Sequence, residues 1–101
     1  MNVAAAVRVA AGGSLAVRFE RHRKDRSRFY ALAIEQETQL TIDRRELGFL
    51  VLIERGAIGL DGREVRVTRH TIPFPTFARA LECWGQRCAR RRANGYEEVS
   101  L

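Results

Sequence analysis

The chain has 101 residues, 46% of them hydrophobic, and a formal net charge of +6 at pH 7, with every one of its 18 basic residues an arginine except Lys24. That length holds one domain with a modest core, and the apolar content excludes wholesale disorder. No apolar run is long enough to cross a membrane as a helix. An arginine excess on so small a domain points first to a polyanionic partner, because the guanidinium fork grips phosphate or carboxylate bidentately.

Met1 to Gly13 is an alanine-rich arm, broken by Arg8 and ending at Gly12-Gly13. It lacks a basic n-region and does not read as a secretory signal. A short helix, an added edge strand and a loose arm are all compatible with it. The domain proper is expected over 14–101.

Leu15, Val17 and Phe19 alternate with Ala16, Arg18 and Glu20, the pattern of a half-buried strand. A basic connector follows from Arg21 to Arg28, containing Arg21, Arg23, Lys24, Arg26 and Arg28 together with His22. A loop this dense in cations can follow a phosphate backbone without fixed register. Arg28 to Ile34 reads as a second strand, with Tyr30, Leu32 and Ile34 on one side and Ala31 and Ala33 on the other. Leu40 and Ile42, alternating with Thr41 and Asp43, suggest a third and weaker strand.

Phe49 to Ile53 is an unbroken apolar run, too short for a buried helix, and reads as a central strand buried on both faces. It leads into Glu54-Arg55-Gly56-Ala57-Ile58-Gly59 and then Asp61-Gly62. Three glycines so close together imply positive φ or a tight approach to another surface directly after the strand. Arg63 to Arg69 alternates again, with Val65 and Val67 inward and Glu64, Arg66 and Thr68 outward. Arg63 and Arg66 differ in parity, so a regular strand sends them to opposite faces.

After Pro73-Phe74-Pro75 the period changes. Thr76 is placed to cap a helix, and Phe77, Ala80, Leu81, Trp84 and Cys88 form one apolar stripe running to about Arg92. Asn94-Gly95 stops it, and Arg90, Arg91 and Arg92 suit the negative end of the helix dipole. Tyr96 to Val99 can add a final strand. The sum is α+β: an antiparallel sheet of about five strands with one C-terminal helix packed across one face.

Cys83 and Cys88, five apart on a helix, point roughly 140° away from each other, so they do not pair. They lack C-x-x-C spacing, and a reducing, cytoplasmic setting is expected. His22 and His70 stand apart from each other and from the cysteines, and no nucleophile elbow, P-loop or zinc-protease helix is present. Neither a metal nor a cofactor is expected, and the chain reads as non-catalytic.

Taken in order, Arg28-Phe29-Tyr30, Glu54 to Gly59, Asp61-Gly62, Phe74, Ala80, and Arg91 ahead of Gly95-Tyr96 resemble the WGR domain, a module of poly(ADP-ribose) polymerases and of small bacterial proteins. The resemblance covers about Leu15 to Val99. Phe29, Tyr30, Gly56, Ile58, Gly59, Phe74 and Tyr96 match without substitution, whereas the Trp-Gly-Arg signature reads Arg55-Gly56-Ala57. In the family that tryptophan and arginine lie at the nucleic-acid-contacting surface.

The resemblance and the charge together imply a module that binds nucleic acid, DNA ahead of RNA, through Arg21, Arg23, Lys24, Arg26 and Arg28 of the connector, Arg55 on the glycine bend and Arg63 after it. The alternative is a protein–protein interaction module, or a self-associating one, that kept the scaffold and lost the nucleic-acid contact. Neither reading involves a membrane.

Overall fold

A computed structural model describes residues 8–9, 15–40 and 45–100. The strands are β1 (Arg8–Val9), β2 (Leu15–His22), β3 (Ser27–Leu40), β4 (Arg45–Ile58), β5 (Glu64–Phe74) and β6 (Glu97–Val99); the helix α1 (Phe77–Ala93) comes between the last two. All pairings are antiparallel, and the order across the sheet is β1-β2-β3-β4-β5. Strand β6 shares the outer edge of β2 with β1: Arg8 and Val9 face Ala16 and Leu15, and the three residues of β6 face Arg18 to Glu20. The fold is therefore α+β, an antiparallel sheet with one C-terminal helix against it.

Register explains the layers. Phe19, Tyr30 and Arg55 lie in one cross-strand row, Val17, Leu32 and Ile53 in the next, and Leu15, Ile34 and Val51 in the third. Because paired residues share a face, these rows put the large apolar side chains under the helix. The helix answers with Ala80, Trp84 and Cys88, all fully buried. Trp84 sits at the centre of this layer. Each buried Val, Leu, Ile or Phe of these rows contributes about 1.5–3 kcal/mol through its burial.

Helix α1 begins where Thr76 Oγ1 accepts from the Arg79 N–H at 3.3 Å, satisfying a donor the helix cannot. It ends where the Asn94 and Gly95 amides donate back to the carbonyls of the last turn, with Gly95 at φ 85°.

Two expectations change. The strand sought at Leu40 to Asp43 is not a separate element at its start: Leu40 is the last residue of β3, paired with Arg45 of β4, while Thr41, Ile42 and Asp43 lie outside the described residues. Beyond the cover of the helix the two strands run on as a ribbon, where polar Glu35 and Gln36 are exposed, so hydrophobic alternation no longer marks them. The central strand is buried on one face only. Val51 and Ile53 are sealed beneath the helix, while Leu50 and Leu52 on the far face are half-covered. Of the arm, residues 1–7 and 10–13 lie outside the described residues, and Arg8–Val9 form the edge strand β1.

The glycine-rich stretch also divides differently. Strand β4 continues through Gly56 and Ala57 to Ile58, and the reversal occupies Gly59 to Arg63. Gly62 carries the positive φ, 81°. Gly56 is glycine for another reason: a Cβ there would stand 2.9 Å from the Phe29 ring and 2.9 Å from the Val65 carbonyl oxygen.

Candidate functional site

A break in the β4–β5 ladder shapes the site. Arg55 pairs with Thr68 and Ala57 with Val65, so Arg66 and Val67 together oppose Gly56 in a bulge. Arg66 adopts φ 55°, unusual for a residue with a side chain. The bulge overturns the alternation expected from Arg63 onward, and Val65 is exposed rather than inward.

On the helix side of this bulge lies a hollow of about 470 Å³. Its cations are Arg28, Arg55, Arg66 and Arg91, from four different elements, and its floor is Tyr30, Tyr96 and the Gly56 backbone. A second hollow, about 740 Å³, opens between the β2–β3 turn and the β4–β5 turn, where Arg23, Lys24 and Arg26 join it. Arg28, Ala57 and Arg66 line both, so the hollows share a wall. Among the described residues, Asp25 is the sole acidic one lining either of them.

The turn at Arg23 to Arg26 is closed by reciprocal backbone hydrogen bonds of 2.8 and 3.2 Å. Its three cationic side chains are thus carried on a tight hairpin rather than on a loose connector. Arg28 and Ala57 sit in register, with Tyr30 and Arg55 in the row behind them.

The aromatic floor is already covered. The Arg91 guanidinium lies 4.3 Å from the Tyr30 ring centre and 5.6 Å from that of Tyr96. Arg87 donates to the Tyr30 hydroxyl at 2.9 Å. Both tyrosines are buried, so neither ring is free to stack on a base. The Arg91 Nε is itself buried without a hydrogen-bond acceptor.

The two faces of the sheet differ in how their arginines are neutralised. On the face away from the helix, Arg18 lies 4.5 Å over the Phe29 ring and donates to Glu20 and Glu64, and Arg69 donates to Glu54 at 2.7 Å. The Arg18 hydrogen bond holds the Glu20 carboxyl below its usual range. By contrast, Arg23, Lys24, Arg26, Arg28, Arg55, Arg66 and Arg91 form no ion pair among the described residues. Seven uncompensated cations therefore border the two hollows.

Of the residues singled out in the sequence, Arg23, Lys24, Arg26, Arg28 and Arg55 line these hollows. Arg21 does not. It donates to the Asn94 carbonyl at 3.2 Å and lies 4.8 Å over Tyr96, tying β2 to the end of the helix. Arg63 also stands outside, on the β4–β5 turn, where its Nε is 3.5 Å from Asp61. Arg66 and Arg91 were missed. The bulge that redirects Arg66 leaves no mark in the sequence. Arg91 was accessible, because it lies seven residues after Trp84 and so continues the buried helical stripe.

Among the described residues no group of histidine, cysteine and carboxylate side chains is arranged to hold a metal ion. Both cysteines are free thiols, and no helix among the described residues is long and apolar enough to cross a membrane. Comparison with protein-family models, with curated proteins and with solved structures gave no match to this chain.

Proposed function

We propose that this chain is a non-catalytic module that holds the phosphate backbone of nucleic acid in the paired hollows beside the β4–β5 bulge. The observation that carries the reading is the division of charge. Arginines on the far face are matched by Glu20, Glu54 and Glu64, whereas the seven cations bordering the hollows have no carboxylate partner among the described residues. Grouping like charges without compensation is unfavourable unless an anion is to be received there.

The covered state of Tyr30 and Tyr96 supports backbone contact rather than base stacking, and hence binding with little sequence preference. The WGR resemblance favours DNA over RNA. Where the family signature has tryptophan this chain has Arg55, which lines the hollow as a phosphate-binding fork in place of an aromatic plate.

Fluorescence anisotropy on a labelled duplex tests the proposal. If six phosphates are engaged, log affinity falls against log salt with a slope of about −5. Replacing Arg55 and Arg66 together with alanine flattens the slope by about 2, whereas Arg63→Ala and Arg69→Ala, which remove cations already paired with Asp61 and Glu54, leave it nearly unchanged. No binding at low salt, or binding indifferent to salt, removes the idea.

A second reading, a protein-interaction module, draws on the far face of the sheet, where Ala16, Ala31, Ala33 and Leu52 leave a shallow apolar depression. The same face would carry a stable dimer in light scattering. That result, together with no retention on a DNA resin, favours this reading over the first.

A further inference from the structure

Leu60 is fully exposed, the most exposed large apolar residue of those described. It belongs to the β4–β5 turn and lines the second hollow among Arg23, Lys24 and Arg26. A single exposed leucine is ordinary on a protein surface. Two features set this one apart.

The first is the stiffness of its support. The Gly59 N–H donates to the Arg63 carbonyl at 2.8 Å, and the Gly62 N–H to the Gly59 carbonyl at 2.9 Å. The Arg63 N–H is taken by Asp61 Oδ1 at 3.1 Å. Leu60 is thus presented on a turn whose backbone is pinned on both sides, so little freedom remains to be lost on insertion. The second is its setting. The leucine projects beside unpaired cations that hold phosphates on the reading given above, and those cations continue around Arg28 and Arg66 into the concave hollow beside the helix.

We infer that Leu60 is an apolar wedge that enters the base stack of a duplex held by the surrounding arginines. The inference rests on the nucleic-acid reading and adds to it a mode of engagement. Cations that grip the backbone beside an aliphatic side chain bring it against the bases, and such wedges partly unstack a step and bend the duplex. An anionic lipid surface would also accept a leucine beside a group of cations. The concave part of the cationic surface argues against it, because a flat bilayer cannot reach Arg55 and Arg91 between the helix and the sheet while a phosphate strand can.

The test uses the full chain and a set of short DNA duplexes, each with 2-aminopurine at one position from the end to the centre. Anisotropy reports binding, and 2-aminopurine fluorescence reports unstacking. With the wild-type protein, fluorescence at one position rises several-fold at saturation. Leu60→Ala abolishes most of that rise and weakens binding about tenfold, the equivalent of one leucine side chain left in water, while the salt slope keeps its value. Leu60→Met, which retains an apolar tip, restores the rise. Circular dichroism shows both variants folded, since Leu60 supports nothing beneath it.

Binding with no fluorescence rise at any position overturns the wedge and leaves the cationic hollows intact. A rise that survives Leu60→Ala overturns it equally. If no duplex is bound at all, the underlying nucleic-acid reading fails, and the wedge with it. Vesicles of equal phosphatidylcholine and phosphatidylglycerol form the second arm. Leu60-dependent partitioning onto them, without a 2-aminopurine response, assigns the tip to membranes and refutes the proposal.

Discussion

Gly56→Ala is the sharpest probe of how the site is built. The added methyl would meet the Phe29 ring Cε1 and the Val65 carbonyl oxygen, each at 2.9 Å, and the Val67 Cα at 3.2 Å. The first two are closer than a methyl tolerates, the third is tighter than most such contacts, and none can withdraw cheaply. Phe29 is buried, with the Arg18 guanidinium over its ring, and the Val65 and Val67 atoms are backbone, the first bordering the bulge and the second within it. Overpacking of this kind costs about 1–3 kcal/mol. For a chain of this size that lowers Tm by roughly 4–8 °C for each kcal/mol. Gly48→Ala is the matched control, because its nearest contacts are at 3.9 Å and its backbone is ordinary. Thermal melts followed by circular dichroism, with urea titrations to confirm an unchanged m-value, measure both. If Gly56→Ala is as stable as Gly48→Ala, the close approach of β5 over Phe29 is wrong. The aim of Arg66 into the hollows, which depends on the same bulge, falls with it.

Cys88 is fully buried, and burial pushes its thiol up to about 11, so iodoacetamide at pH 8 alkylates the half-buried Cys83 alone in the native chain and both cysteines in urea, as mass spectrometry will show. Because the folded state retains that proton above the ordinary value of 9.0, its contribution to stability is full below pH 9 and is lost as pH rises toward 11; Cys88→Ala removes this alkaline dependence from urea titrations. Glu20 has the opposite sign. Its carboxyl is held down chiefly by the hydrogen bond from Arg18, so its contribution is present above pH 4.5 and is lost as pH falls through the depressed folded value; Glu20→Gln flattens the acid limb of Tm against pH.

The alternation at Leu15 to Phe19 and at Tyr30 to Ile34 placed the two strands and their buried faces correctly, because both are covered on one side by the helix and wet on the other. Thr76, the stripe through Trp84 and Cys88, and Asn94-Gly95 bounded that helix within a residue or two, since capping is local chemistry. What lay beyond reach was non-local. The ribbon of β3 and β4 out to Leu40 and Arg45 is held by main-chain pairing, to which side-chain identity contributes little. The bulge at Arg66 arises where β5 must step around Phe29 and Gly56, a contact between segments far apart in the chain. Arg91 is a different case: it read as a helix-end charge although its place on the stripe through Trp84 marked it, and its guanidinium roofs a tyrosine on β3. The connector arginines were recognisable as a group by density alone, but which of them face the hollows was decided by cross-strand register.

The partition of charge between the two faces of the sheet has an electrical consequence for encounter. With one side balanced and the other in excess, the molecule carries a lopsided field that exerts a torque on it near any strongly anionic body. It would tend to arrive already turned, hollows foremost, so that a larger share of collisions begins in a productive attitude. Mobile ions quench such alignment within a Debye length, about 8 Å at physiological ionic strength. Capture would therefore slow with added electrolyte even where the final contacts are the same.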